Sequence, residues 1–570
     1  MNKLLAISTC LIAAPFAFAQ GTPADYERSA ALSALTRGKV FRDSVEPHWF
    51  GSRFWYKVEL PGSTREFIVV DSKTGKREPA FDHAKLAAAL AKSAKKDALP
   101  TKLPFEFIEV DEDKIRFVAF DKGWAFDTKA GTVAEGPKPS EPRQPFPGPR
   151  KGGNFERPRQ PRGDNPWTVT LKNNNLFVRK GKEDEFQLTK DGKADDSYST
   201  RDLNWSPDFS KLVALRTKKG DDRKVNIVES APRDQLQPKL LTLNYAKPGD
   251  KLNVSKPHLF DLNEKKEITV GDEMFPNPWN ITRLRWNEDG KAFSFLYNQR
   301  GHQALRLLEI DATSGKVRAI INEESNTFID YAHKQYLHAV PDKDELIWMS
   351  ERDGWNHLYL FDSKTGSVKN QITKGEWIVR AIDRVDDDKR QIWFQASGIH
   401  PEQDPYYIHF CRINFDGTEL VKLTEGDGTH AIRYSPDRTC FVDTYSRVDM
   451  PAVTELRRTE DGKLICPLEK GDMSALVKAG WQVPERFVAK GRDGKTDIFG
   501  VIYRPTNFDA SKKYPVIEQI YAGPQGSFVP KNFRAFHYPQ EMAELGFITV
   551  QIDGMGTSNR SKAFHDVCWK

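Results

Sequence analysis

A five-residue turn pattern recurs along this chain and limits what it can fold into. Asp71-Ser-Lys-Thr-Gly75, Asp127-Thr-Lys-Ala-Gly131, Asp311-Ala-Thr-Ser-Gly315 and Asp362-Ser-Lys-Thr-Gly366 each place Asp and Gly four apart. Each follows an apolar run of strand type, such as Phe67-Ile-Val-Val70 or Leu358-Tyr-Leu-Phe361. Asn414-Phe-Asp-Gly417 is a shortened form. An Asp side chain bonds forward to the backbone and Gly takes the positive φ that closes a turn, so the pattern predicts hairpin tips.

A second pattern is interleaved with the first. Asn204-Trp-Ser-Pro-Asp208, Arg285-Trp-Asn-Glu-Asp289 and Arg433-Tyr-Ser-Pro-Asp437 precede alternating apolar runs, and looser copies start at Val110, Asp164, Ala339 and Val385. Copies lie roughly 40 to 55 residues apart, with one gap of about 80 between Trp205 and Trp286. Seven copies are visible, and a degenerate eighth is expected inside that gap. Four short strands per repeat at this period predict a β-propeller of about eight blades. Trp205 and Trp286 are then blade core rather than ligand contacts.

The length of 570 residues calls for two or more domains. The charge of +6 is concentrated. Residues 137–166 hold Lys138, Arg143, Arg150, Lys151, Arg157, Arg159 and Arg162 against Glu141, Glu156 and Asp164, a net of +4. This Pro/Gly-rich segment reads as a disordered surface insertion, so the charge does not argue for nucleic acid as a partner. The first residues read as a secretory signal, with a membrane anchor as the alternative: Lys3, an apolar run over 4–14, and Ala17-Phe-Ala19 before an expected mature start at Gln20. The chain is therefore expected in the periplasm or secreted, with no membrane span after residue 19. Cys411, Cys440, Cys466 and Cys568 are too few to staple the mature chain; Cys411 and Cys440 on neighbouring strands and free buried thiols are both open.

The texture changes near residue 485. Phe487-Val-Ala-Lys490 and Asp497–Tyr503 read as a hairpin around Asp493-Gly494. A strand over 514–520 runs into Tyr521-Ala-Gly-Pro524. A helix is expected over 539–545, with Met542 and Leu545 on one face. The run 547–552 reads as a strand buried on both faces, ending in Asp553-Gly-Met-Gly556. Strand, loop, helix and strand with Gly turns at strand ends is the opening of an α/β sheet. The expected domains are a signal at 1–19, a propeller at 20–484 and a partial α/β-hydrolase at 485–570. The partial sheet leaves a long apolar edge, so this last part is expected to fold poorly alone.

At this point the sequence resembles the prolyl oligopeptidase family, especially its dipeptidyl peptidase IV branch. The resemblance rests on the 514–524 run, Asp553-Gly-Met-Gly-Thr-Ser558, Ser350-Glu-Arg-Asp-Gly-Trp-Asn-His-Leu-Tyr359 and Tyr245-Ala-Lys-Pro-Gly-Asp250. It implies a serine peptidase acting on oligopeptides, with a propeller capping the site and a homodimer admitted for the complete protein. It also implies an oxyanion role for Tyr521, whose phenol ends the strand leading into a loop of oxyanion donors.

No Gly-x-Ser-x-Gly occurs in the 570 residues; Gly556-Thr-Ser-Asn-Arg560 comes closest. The hydrolase domain thus reads as stopping before its nucleophile, with the Ser/Asp/His triad absent and the chain inactive by itself. His565-Asp566 and Cys568 precede any nucleophile in this fold and are not expected to be catalytic. The family holds a free amino end with a Glu pair; here Asp195-Asp196 stand as the candidate anchor, with a solvated turn as the alternative. Glu323-Glu324 read as surface charge. No metal motif and no phosphate loop appear, so neither metal nor cofactor is expected. Two other readings remain: a non-catalytic binding propeller, and an acyl-peptide hydrolase or esterase on the same scaffold.

Overall fold

The computed structural model describes residues 21–140 and 163–570. The expected signal over 1–19 and most of the expected disordered insertion at 137–166 lie outside the described residues.

The chain is mainly β. Among the described residues, eight sheets follow one another along the sequence, over 48–79, 108–135, 167–187, 196–268, 278–324, 337–371, 378–422 and 429–470. Six have four strands in simple up-and-down order, the third has three and the fourth five. A ninth, mixed sheet follows, and a separate two-stranded ribbon is inserted into the fourth. By contacts the chain separates into two compact units: residues 1–144, 423–522 and 527–555 form one, and 145–422, 523–526 and 556–570 the other.

The turn patterns explain the sheets. Asp362 Oδ1 accepts from the backbone N–H of Lys364 and Thr365 at 3.0 and 2.8 Å, and Gly366 N–H donates to Asp362 O. Asp71 and Asp311 make the same bonds. The glycine has a second task. A Cβ on Gly366 would lie 3.1 Å from the carbonyls of Ala319 and Ile320, on the outer strand of the preceding sheet. The tips at Gly75, Gly315 and Gly366 therefore close their hairpins and seat them on a neighbour, while a Cβ on Gly131 would meet nothing within 4 Å. In the Ser-Pro-Asp copies, Ser206 and Ser435 donate to Asp208 and Asp437 at 2.6 Å, fixing a tighter turn.

In the first unit, the eighth and first sheets share one core of Phe54, Tyr56, Val58, Val70, Val442, Leu456 and Leu468. The first and second share another, around Trp55, Phe67, Phe105, Phe117 and Phe126. Each such side chain contributes roughly 1.5–3 kcal/mol on burial. In the second unit every successive pair of sheets, from the third to the seventh, likewise shares a core. Indole N–H groups stitch them: Trp286 Nε1 donates to Asn204 O at 3.0 Å, and Trp348 Nε1 to Glu323 at 3.1 Å. Trp286 is core, as expected, while Trp205 is half-buried at the margin.

The eighth repeat is not where it was expected. The gap between Trp205 and Trp286 holds the ribbon, Lys224–Glu229 paired with Lys239–Asn244, and the last strands of the fourth sheet. The uncounted sheet is the first, at 48–79, which carries an Asp-Gly tip but no copy of the second pattern. Two interleaved motifs had to be counted together.

The mixed sheet has the order Glu485–Lys490, Asp497–Tyr503, Ile548–Ile552, Val516–Gln519; only the last pair is parallel. The expectation that 547–552 is buried on both faces is corrected. Thr549 and Gln551 face a core side shared with Val501 and Tyr503, whereas Ile548, Val550 and Ile552 are half-buried on the other face. The expected long apolar edge is not present: the edges are Glu485–Lys490 and Val516–Gln519, the latter half polar with Val516 62% exposed, and the 548–552 strand is central. The helix is Tyr538–Ala543, and its buried residues are Pro539, Gln540 and Ala543 rather than Met542 and Leu545. Glu544 follows it, buried, accepting from Thr506 N–H at 2.8 Å and from Arg28 of the N-terminal helix Pro23–Thr36 at 3.2 Å.

All four described cysteines are free. Cys411 and Cys440 belong to different cores, and burial pushes the Cys411 thiol up to about 12.

Candidate functional site

The β-branched runs Val516-Ile517 and Ile548-Thr549-Val550 build the parallel pair, and its strands end together. Open α/β sheets bind ligands at such carboxyl ends. Tyr521 lies just past one strand and Asp553 just past the other. Tyr521 is about half exposed, and its ring centroid lies 4.2 Å from that of Phe528. Ala522, next in the chain, has φ +48°, a left-handed value that costs a Cβ-bearing residue free energy.

Phe528 is clamped on both sides of its backbone. Asp553, fully buried, accepts from Phe528 N–H at 2.7 Å and Val529 N–H at 3.1 Å. Gln551 Nε2 donates to Phe528 O at 3.0 Å. The strand thus holds Phe528, and Phe528 forms one wall against the Tyr521 ring. The Tyr521 and Phe528 rings thus stand side by side past the ends of the parallel pair. Sequence reading singles out Tyr521 and the Asp553-Gly turn and says nothing of Gln551 and Phe528. The nearly apolar run 547–552 hid Gln551, and nothing in the loop distinguished Phe528.

A charged cavity of about 320 Å³ lies in the second unit. Glu323, expected as surface charge, is buried in its wall, accepting from Trp348 and from Arg352. The guanidinium of Arg352 also lies over the Tyr359 and Phe361 rings. Glu324 is exposed and pairs with Arg306 at 2.7 Å. Deeper in, Lys334 donates to Glu351 at 2.6 Å, and His565 Nε2 meets the same carboxylate at 3.1 Å. Lys334 and His565 outweigh the cost of burial and hold the Glu351 carboxyl down to about 2. His565 is therefore a structural partner of Glu351; Asp566 accepts from Thr327 and Lys562, and Cys568 donates to His565 O.

Asp195 is exposed at a turn. Asp196 pairs with Arg216 Nε at 3.0 Å, and that guanidinium also holds Asp191. Ser558 is buried and directed to Asp330 at 3.5 Å. Among the described residues, no group of three or more His, Cys, Asp and Glu is placed to hold a metal ion. Among them no helix is long and apolar enough to cross a membrane.

Residues 163–452 match the family model described as the dipeptidyl peptidase IV N-terminal region. Among curated relatives, "Probable dipeptidyl-aminopeptidase B" of Tuber melanosporum is 27% identical over 444 residues, covering 70% of this chain and 48% of that protein. "Dipeptidyl peptidase 4" of Trichophyton equinum is 25% identical over 387 residues, covering 65% of this chain and 48% of that one. The chain thus spans about half the length of the curated relatives it matches. The crystal structure of Porphyromonas gingivalis dipeptidyl peptidase 4 superposes with a TM-score of 0.51 at 19% identity, covering 96% of this chain and 76% of that one. With a family model matched over more than half its length, this chain belongs to the dipeptidyl peptidase IV-like branch of the prolyl oligopeptidase family.

Proposed function

We propose that this chain forms the propeller and the oxyanion side of an exported serine peptidase that releases N-terminal dipeptides from oligopeptides. The eight successive sheets read as eight blades. Shared cores between neighbours support that reading, as does the core common to the first and last sheets. The blades would restrict entry to short or unfolded peptides. The start of an α/β-hydrolase sheet over 485–570 would present Tyr521 to the tetrahedral intermediate of acyl transfer. In that chemistry a Ser, a His and an Asp would act as nucleophile, proton shuttle and orienter.

One observation carries the reading: an exposed tyrosine at the carboxyl end of the parallel pair, backed by Phe528, which Asp553 and Gln551 hold. The test is Tyr521→Phe in the product of the complete coding region, assayed on Xaa-Pro chromogenic peptides. A loss of about 10²–10³ in kcat with KM little changed is expected. Full activity in that variant removes Tyr521 from the mechanism.

The pairing of Asp196 with Arg216 favours a second reading, in which no free amino end is held there and acylated or longer peptides are cut. Comparing N-acetylated with free substrates separates the two. Export is tested by amino-terminal sequencing of the protein from the producing cell, with Gln20 expected first.

A further inference from the structure

A cavity of about 360 Å³ lies in the first unit, between the end of the helix Pro23–Thr36 and the loop before the helix Tyr538–Ala543. Its frame is pinned from several sides. Ser29 Oγ donates to Glu541 O at 3.0 Å, fixing the first helix beside the second. Phe41 N–H donates to Asp472 O at 2.9 Å and Asp472 N–H to Phe41 O at 2.8 Å, fixing the chain that follows the first helix. Phe533 N–H donates to Ser446 Oγ at 3.1 Å, and its ring centroid lies 5.9 Å from that of Trp481.

Three charged side chains line this cavity: Arg37, Arg534 and Asp43. None of the three makes an ion pair with any described residue. Arg42, the neighbour of Asp43 in the chain, is committed to Glu469 at 2.8 Å. A guanidinium fork matches a carboxylate, so two unpaired forks lining one cleft are a ready-made seat for one. Phe533 and Phe536 add an apolar wall. Two cations, one anion and two phenyl rings around a space of this size complement a small zwitterion with an apolar side chain.

We propose that this cavity binds such a zwitterion, a free amino acid or a dipeptide. Arg37 and Arg534 take the α-carboxylate, Asp43 accepts from the ammonium group, and Phe533 and Phe536 face the side chain. The inference does not depend on the peptidase reading.

Isothermal titration calorimetry of the 570-residue protein tests it, with L-phenylalanine, glycyl-L-phenylalanine, N-acetyl-L-phenylalanine and inorganic phosphate as probes. At least one of the two zwitterions is expected to bind with a Kd of about 2 mM or tighter, and the tighter one identifies the source. The N-acetyl probe has lost the ammonium group and phosphate has no apolar body, so each is expected to bind at least about tenfold more weakly. Arg37→Ala with Arg534→Ala is expected to weaken zwitterion binding about 10–100-fold. Arg37, Asp43 and Arg534 are exposed, so these variants are expected to keep the parent far-ultraviolet spectrum. Asp43→Asn gives a second readout, since it should abolish the preference for L-phenylalanine over its N-acetyl form. No binding of either zwitterion at about 10 mM, or phosphate binding as tightly as they do, overturns the proposal. Unchanged affinity in the double arginine variant, or an undiminished preference in Asp43→Asn, also overturns it.

Discussion

Glu469 in the eighth sheet accepts a hydrogen bond from the Tyr56 hydroxyl of the first sheet at 2.9 Å. The same carboxylate accepts from Arg77 at 2.5 Å and Arg42 at 2.8 Å. Burial and this carboxylate push the Tyr56 phenol well above its usual range, so it stays a donor. The two ends of the repeat array are thus joined by a buried acid with three donors as well as by their shared core. Glu469→Leu is expected to cost about 1–3 kcal/mol in urea unfolding, because it leaves the buried Tyr56 phenol without its acceptor while Arg42 and Arg77 keep access to solvent.

The glycines of the hairpin tips should differ in cost by what lies beside them. Gly315 has φ +71°, and a Cβ there would meet Thr269 O at 2.0 Å; Gly131 has φ +70° and nothing within 4 Å. Gly131→Ala is expected to cost about 1–2 kcal/mol, the left-handed term alone. Gly315→Ala should cost distinctly more, and equal melting temperatures would contradict the seating of that tip on its neighbour.

Asp553→Ala removes the acceptor of two loop N–H groups. It is expected to destabilise by about 1–3 kcal/mol and to speed amide exchange at Phe528 and Val529. In the catalytically complete protein it should lower kcat through Tyr521 without abolishing peptide binding.

His537 is buried, and burial, then Arg534, hold its imidazole down to about 4. The unfolded chain takes up that proton near 6.5, the folded chain only near 4. Stability is therefore full above about pH 6.5 and falls as pH drops towards 4, by about 3 kcal/mol. His537→Gln should flatten that part of the pH–stability curve relative to the parent protein.

A polypeptide of these 570 residues is expected to show no turnover on Xaa-Pro chromogenic peptides, since no Gly-x-Ser-x-Gly elbow is present. Turnover removed by a serine-directed inhibitor would contradict this.

Much of the fold was legible because its turn chemistry is local. Asp-x-x-x-Gly and Ser-Pro-Asp work through bonds within five residues, so Asp362 and Ser435 announce their hairpins without help from distant chain. The miscounted gap shows the limit. A two-stranded insertion and a degenerate repeat have the same length, and only strand pairing separates them. Glu323 and His565 were misjudged or left unassigned for a related reason. Their partners lie 29 and 214 residues away along the chain.

The repeat period, the hairpin tips and the strands that follow residue 485 are written in the chain locally. Those features depend on residue type at short spacing, which the chain carries wherever it goes. Tertiary structure alone decided that Gln551 and Asp553 hold Phe528 against Tyr521. It also decided that Glu469 joins the first and last sheets and that Arg37, Asp43 and Arg534 line one cavity. Each of these is a pairing of distant residues, and side-chain burial is a property of what the rest of the chain brings alongside.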